Sequence, residues 1–178
     1  VTSRLASISD SRVKLVDGTF ADTATIQANL SAVAAAYLNF VAEDPIIKSL
    51  LKIMEEAGVK RFILASVPDL YEEVTGNFQK WYRAGMGKIW QSKLRTAADL
   101  VEASDLDYVI LRITWLYNQA GNTAVHVTRK GEPFTEAQVT RQAVSQFVTD
   151  LLTGKADYHR ESLGVGEPGT DYAKPSFY

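Results

Sequence analysis

Three apolar runs of this chain end on side chains that could do chemistry: Ser66 closes KRFILAS, Arg112 closes YVILR with Thr114 two residues on, and Asn39 with Phe40 closes AAYLNF. A hydroxyl at a strand end can donate to a carbonyl oxygen, or it can bond the turn that follows. A guanidinium in the same position can grip a carboxylate or phosphate through parallel hydrogen bonds, or hold the next loop by its carbonyls. Between these runs, residues 67–87 carry Tyr71, Trp81 and Tyr82 in a polar, glycine-bearing segment. A connection of that length is a candidate for function. With Trp90, the aromatics Trp81 and Tyr82 could wall an apolar substrate or serve an interface. His126 alternates within VHVT as in an edge strand and reads as a surface or packing residue, and His159 sits among acidic neighbours.

Composition excludes several classes. The 178 residues contain no cysteine and two histidines, so disulfides, thiolate zinc sites, cysteine nucleophiles and histidine-rich metal sites are ruled out. The net charge of -2 offers no basic surface for a nucleic-acid backbone or an anionic membrane. No apolar run has the length of a membrane span, and VTSRLASISD is not a signal peptide, so a cytoplasmic protein is expected.

The elements that must position the candidates follow from periodicity. Val13–Val16 reads as a short strand closed by Asp17–Gly18, and Asp22 or Thr23 caps a helix running to about Leu30. Ala35–Phe40 is a second strand. Asp44–Pro45 starts a helix with apolar residues at Ile46, Ile47, Leu50, Leu51, Ile53 and Met54, ended by Gly58. Lys60–Ser66 is a third strand, 67–87 a loop, 88–103 a helix and Tyr108–Arg112 a fourth strand. Residues 113–139 read as irregular or short-stranded, and a helix spans Thr140–Leu152 before Gly154. Residues 161–178 read as an extended tail over the body, and Gly131, Gly166 and Gly169 as turns. Apolar strands alternating with helices predict one α/β domain over 1–178, a doubly wound parallel sheet covered on both faces. Such sheets place ligands beyond the carboxyl ends of their strands, where Asn39, Ser66 and Thr114 fall.

A dinucleotide enzyme on this fold opens with a strand, a glycine-rich turn and a helix. Neither Gly85-Met86-Gly87 nor Gly164-Val165-Gly166 has that context. Four stretches in order, VKLVDGTFADTATIQANLSAV, AGVKRFILAS, LVEASDLDYVILRITWLYN and RKGEPFTEAQVTRQAV, resemble landmarks of the atypical short-chain dehydrogenase/reductases. That group includes NmrA-like and NAD-dependent epimerase/dehydratase-like proteins with NAD(P)H-binding domains. The resemblance implies a Rossmann-like domain and an upstream βαβ unit of roughly 35–40 residues before Val1. The expectation is therefore an incomplete Rossmann domain, the alternative being edges re-paired by a partner subunit.

The resemblance also implies roles. The family's tyrosine acid and its lysine fall on Trp90 and Leu94, which cannot exchange protons; Lys93 is adjacent but turned about 100° round the helix. Ser66 and Tyr82 remain as candidate catalytic groups. Thr19 and Phe20, within the family's partly matched G-D-x-x-D stretch, and Asn39, Phe40, Ser66, Arg112 and Thr114 are the expected cofactor contacts. The cofactor is NADP or NAD, with Ser3 and Arg4 tilting the reading toward NADP through a 2′-phosphate. The implied function is an NAD(P)H-dependent oxidoreductase on a small carbonyl or quinone-like acceptor, acting as monomer or homodimer with neither nucleic acid nor membrane as partner. The alternatives are an NmrA-like redox sensor that binds without turnover, and a structural or interaction protein on a Rossmann scaffold.

Overall fold

The computed structural model describes residues 5, 8–86 and 88–178, the side chains of 88–91 excepted. Ser3, Arg4, Gly87 and the Trp90 side chain, all invoked above, lie outside the described residues.

The elements run α1 (Thr23–Leu30), β1 (Ala35–Leu38), α2 (Asp44–Ala57), β2 (Arg61–Ser66), α3 (Phe78–Gly85), α4 (Lys88–Glu102), β3 (Asp107–Ile113), β4 (Trp115–Tyr117), β5 (His126–Arg129), β6 (Gln138–Thr140), α5 (Arg141–Thr153) and β7 (Glu161–Gly166). The main sheet has the order β1-β2-β3-β7-β5. Its first four strands are parallel, and β5 runs antiparallel along β7 at the edge, where the VHVT alternation placed it. β4 and β6 form a separate parallel pair.

Period-two alternation sorts the strand side chains between the two layers. Phe62, Leu64, Tyr108 and Ile110 face a core shared with Ile47, Leu50 and Met54 of α2 and Leu94, Ala97 and Val101 of α4. Ile63, Val109, Leu111, Leu163 and Val165 face Ala143, Val144, Phe147 and Val148 of α5. Each fully buried side chain of this size contributes on the order of 2 kcal/mol. The helix ends follow local chemistry. Gly58 and Gly154 adopt the left-handed conformation (φ 73° each) that stops α2 and α5. Thr140 Oγ1 accepts from Ala143 N at 2.9 Å to start α5. Asp44 turns out to be the first helical residue of α2, with Glu43 in the cap position, so it acts on the helix dipole and pairs with Lys48.

Three expectations are corrected. Val13–Val16 forms no strand; Val13, Leu15 and Val16 are nearly half exposed, and none of the described strands lies alongside to receive their backbone hydrogen bonds. Residues 67–87 are not all loop, because α3 occupies Phe78–Gly85 and buries Phe78 and Tyr82. Glu161–Gly166 is not a surface tail but β7, a strand paired on both sides. Gly166 is accordingly no turn: a Cβ there would lie 2.3 Å from Glu136 Cβ, and one at Gly164 would lie 2.3 Å from Thr128 Oγ1. Only glycine admits so close an approach. The remaining residues, 167–178, do run over the body. Ala137 N donates to Thr170 O and Ser176 N to Gln138 Oε1, and Phe177 stacks on Tyr117.

Candidate functional site

The parallel strands β1, β2 and β3 all end on the same side of the sheet, and the turn after each contributes there. β1 closes on Asn39 and Phe40, both exposed. The Phe40 ring, 51% exposed, stacks on Phe20 with centroids 5.6 Å apart. Around Asn39 and Phe40 opens a groove of about 710 Å³ continued by Val41, Glu43, Pro45 and Ile46. Phe20 in turn lines an adjoining cavity of about 340 Å³ with Gly18, Thr19 and Asp22. The aromatic pair thus separates two open volumes. Thr19 shapes its own turn, taking Ala21 N on its hydroxyl and Asp22 N on its carbonyl. Asp22 is the cap expected of it; its carboxylate accepts from Thr25 N at 3.1 Å, and hydrogen bonding with the Thr25 hydroxyl, then with that N–H, lowers its pKa.

One cation from a different element pairs with the groove wall. Lys93 of α4 puts Nζ 3.3 Å from Glu43 Oε2 on the groove wall, with both side chains about half exposed. Sequence reasoning assigned Lys93 no role, since the pair spans 50 residues and only the packing of α4 on α2 unites it. Leu94, at the family's lysine position, is buried in the core against α2.

Ser66 sits at the carboxyl end of β2 in register with Arg112, and its residue is 7% exposed. The other strand-end candidates are held by the protein itself. Arg112 is fully buried, pairs with Glu73 and donates to the carbonyls of Thr128 and Ser162. Burial lowers its pKa, and the Glu73 carboxylate offsets only part of that shift. The guanidinium holds backbone carbonyls of β5 and β7 rather than of the loop that follows β3, and it does not line the groove. Thr114 Oγ1 donates to Glu136 O at 2.9 Å in a buried position. Tyr82 is 1% exposed between Phe78 and Trp115; burial raises its pKa, with the Asp69 carboxylate adding to the shift. A phenol so enclosed is a packing group, and Tyr82 does not join the groove.

Beside β3 the half-buried Trp115 meets Trp81 edge-on at 5.0 Å, and its Nε1 donates to Tyr178 OH at 3.2 Å. Of the expected wall of Trp81, Tyr82 and Trp90, Tyr82 is buried and the Trp90 side chain lies outside the described residues; Trp81 instead groups with Trp115 and Tyr178. Among the described residues no cluster of three or more carboxylate and histidine side chains could hold a metal, and no helix is long and apolar enough to cross a membrane.

A parallel sheet with an open groove at its strand ends is the frame on which dinucleotides bind, and comparison with known proteins decides which family uses it here. A family described as NAD(P)H-binding matches residues 2–155. The chain belongs to this NAD(P)H-binding family. It is similar to a short-chain dehydrogenase/reductase from Veillonella parvula in complex with NADP, at 31% identity and a TM-score of 0.89, covering 98% of this chain and 84% of that one. A Rossmann-fold NAD(P)-binding family protein from Shigella flexneri matches at 27% identity and 0.74, over 94% and 77% of the two chains. An anaerobilin reductase from Escherichia coli matches at 18% identity and 0.64, over 85% and 74%, and shares the fold. No curated relative matches the sequence.

The observed residues fit part of a dinucleotide. Phe20 and Phe40 offer a flat apolar face and Asn39 an exposed amide beside open volume, with Lys93 paired to Glu43 of the groove wall. Arg112 and Thr114, spent on internal bonds, do not fit as contacts.

Proposed function

We propose that this chain uses a nicotinamide dinucleotide to reduce a small carbonyl or quinone-like acceptor. The observation that carries the reading is the groove at the end of β1, where the open Phe40 face and the Asn39 amide border one volume and Lys93 pairs with Glu43 of its wall. When bound, the cofactor supplies the hydride. The chain's part is to bind and orient: Phe40 stacks a base, Asn39 hydrogen-bonds a ring or ribose edge, and Lys93 attracts phosphate. Ser66, one strand further in at the end of β2, supplies the hydroxyl that donates to the acceptor's carbonyl oxygen. The aromatic wall of Trp81 and Trp115 gives that acceptor an apolar surface. NADP is favoured over NAD, a preference supported by the NADP complex of the Veillonella parvula protein.

Binding without turnover, as in an NmrA-like sensor, is the second reading. Leu94 at the lysine position and the burial of Tyr82 favour it, because a leucine cannot lower a phenol's pKa and Tyr82 is enclosed away from the groove. Following NADPH absorbance against a panel of quinones and aldehydes separates the two. Acceptor-dependent consumption supports the oxidoreductase, whereas saturable binding with no consumption by any acceptor supports the sensor.

A further inference from the structure

Phe177 and Tyr178 lie over the aromatic group that follows β2 and β3. The stretch leading to them is fastened to the body. Thr170 and Pro175 are buried, the Asp171 carboxylate accepts from Asn77 N at 3.1 Å, and Ser176 N donates to Gln138 Oε1 at 2.8 Å. Beyond Ser176 the hold changes character. Phe177 and Tyr178 are large aromatic residues that remain 46% and 63% exposed. Among the described residues, the Tyr178 hydroxyl meets one side-chain donor, Nε1 of Trp115 at 3.2 Å. The Tyr178 ring stands edge-on to Trp81 with centroids 5.3 Å apart, and Phe177 lies flat on Tyr117 at 5.6 Å.

One neutral hydrogen bond between exposed groups adds little net stability, because water replaces it readily. Rings that keep half their surface wet add little more, and segments held in this way open at low free energy. The groups beneath are fixed by contrast. Trp115 packs edge-on against the buried Phe78 and Tyr82, and Trp81 stacks on Phe78. When Tyr178 leaves, the Trp115 indole N–H loses its acceptor and Trp81 loses a ring partner. A half-buried indole N–H is satisfied by an oxygen acceptor, and an indole face or edge by a second ring. The vacated place therefore suits a planar ring that carries an accepting oxygen, which is the description of the Tyr178 phenol itself.

We propose that Tyr178 is an internal occupant of the acceptor site and, with Phe177, forms its lid. A quinone takes the place of the Tyr178 ring beside Trp81, with one carbonyl oxygen accepting from Trp115 Nε1. The proposal rests on the oxidoreductase reading and narrows it from small carbonyls in general to a planar ring bearing the carbonyl. Reduction then takes the hydride of NADPH and one proton from solvent, leaving hydroquinone and NADP. Trp115 follows Arg112 by three residues, and Arg112 is level with Ser66. The site thus lies at the carboxyl ends of β2 and β3, the end of the sheet on which the Phe40 groove also opens. A closed lid lowers the apparent affinity for the quinone by the fraction of molecules that are open.

The test follows the indole N–H signals of the whole protein by NMR, without dinucleotide, as duroquinone is added. Its methyl groups block addition by lysine, and cyclohexanone serves as the carbonyl without a planar ring. Trp115→Phe identifies the Trp115 signal. The expected result is a saturable shift of that signal with duroquinone and none with cyclohexanone. Tyr178→Ala tightens duroquinone roughly fivefold by removing the competitor, and Tyr178→Phe, which removes the hydroxyl alone, tightens it by a smaller factor. The lid is overturned if the Trp115 signal ignores duroquinone, if cyclohexanone shifts it equally, or if the folded Tyr178→Ala protein binds no more tightly than the wild type. NADPH absorbance decides the underlying reading separately. Duroquinone-dependent consumption without a Trp115 shift keeps the oxidoreductase and removes this site, whereas the shift without consumption keeps the site and removes the oxidoreductase.

Discussion

Phe40 keeps half its ring in solvent although it is large and apolar, and the stacked Phe20 holds that ring in place. A base stacking on an aromatic face is worth about 1–3 kcal/mol, so Phe40→Ala weakens NADPH binding by roughly tenfold in a calorimetric titration, while Phe40→Trp retains it. Ser66→Ala tests the hydroxyl donor. If Ser66 polarises the acceptor, kcat falls by about 10²-fold with dinucleotide affinity unchanged. His159 supplies the pH dependence. Hydrogen bonding to Asp107 raises its pKa, with Asp157 adding and Arg61 opposing. Its contribution to stability is therefore fully present below the ordinary imidazole value and is lost as pH rises through the raised one. Urea melts at acidic and alkaline pH should show His159→Gln closing a small gap, kept small by the exposure of the ring. Several site residues were legible as strand-end side chains. Lys93 was not, because helix geometry alone turns it away from the family's lysine position and only Glu43, 50 residues earlier, reveals what it faces.

At the level of elements, the β2–α3 connection is fastened to the sheet by buried charge. Glu73, held by Arg112 and Gly131 N, and Asp69, held by Arg83 Nε at 2.7 Å, anchor its two halves. Removing one partner of a buried pair typically costs about 3–5 kcal/mol, so Glu73→Ala lowers the urea midpoint by that equivalent with the slope unchanged. Gly164→Ala forces a methyl against Thr128 and the Phe134 ring and is expected to cost about 1–3 kcal/mol or more by the same measurement. These elements also mark the limit of reading by pattern. Helices α2 and α5 announce themselves by apolar spacing, Pro45, Thr140 and closing glycines. Strand β7 does not, since ESLGVG replaces β-formers with the two glycines that the close approach of Thr128, Phe134 and Glu136 requires. Helix α3 was hidden because its eight residues carry glycine and polar groups and gain their order from the aromatic cluster of Phe78, Trp81, Tyr82 and Trp115.

For the whole molecule, the order β1-β2-β3-β7-β5 sets β1 at one edge of the sheet and the short antiparallel β5 at the other. The exposed apolar residues Val13, Leu15, Val16, Phe20 and Phe40 belong to the segment before α1 or to the turn after β1. Alternating apolar strands and helices made this α/β architecture legible in the sequence, whereas the stacking of Phe20 on Phe40, from two separate turns, comes only from the packing of α1 beside β1 and α2. Membership of the NAD(P)H-binding family and the fit of that aromatic pair to a planar ring lead to one central claim, that the groove after β1 is a dinucleotide site. The most direct measurement is a calorimetric titration of NADPH, then NADH, into the folded protein, repeated with Phe40→Ala. The account predicts one saturable site on the order of micromolar for NADPH, weaker for NADH, with Tm rising as ligand accumulates on the native state and both effects diminished in the variant. Absence of heat and of any rise in Tm with either dinucleotide, in a sample shown to be folded, would contradict it.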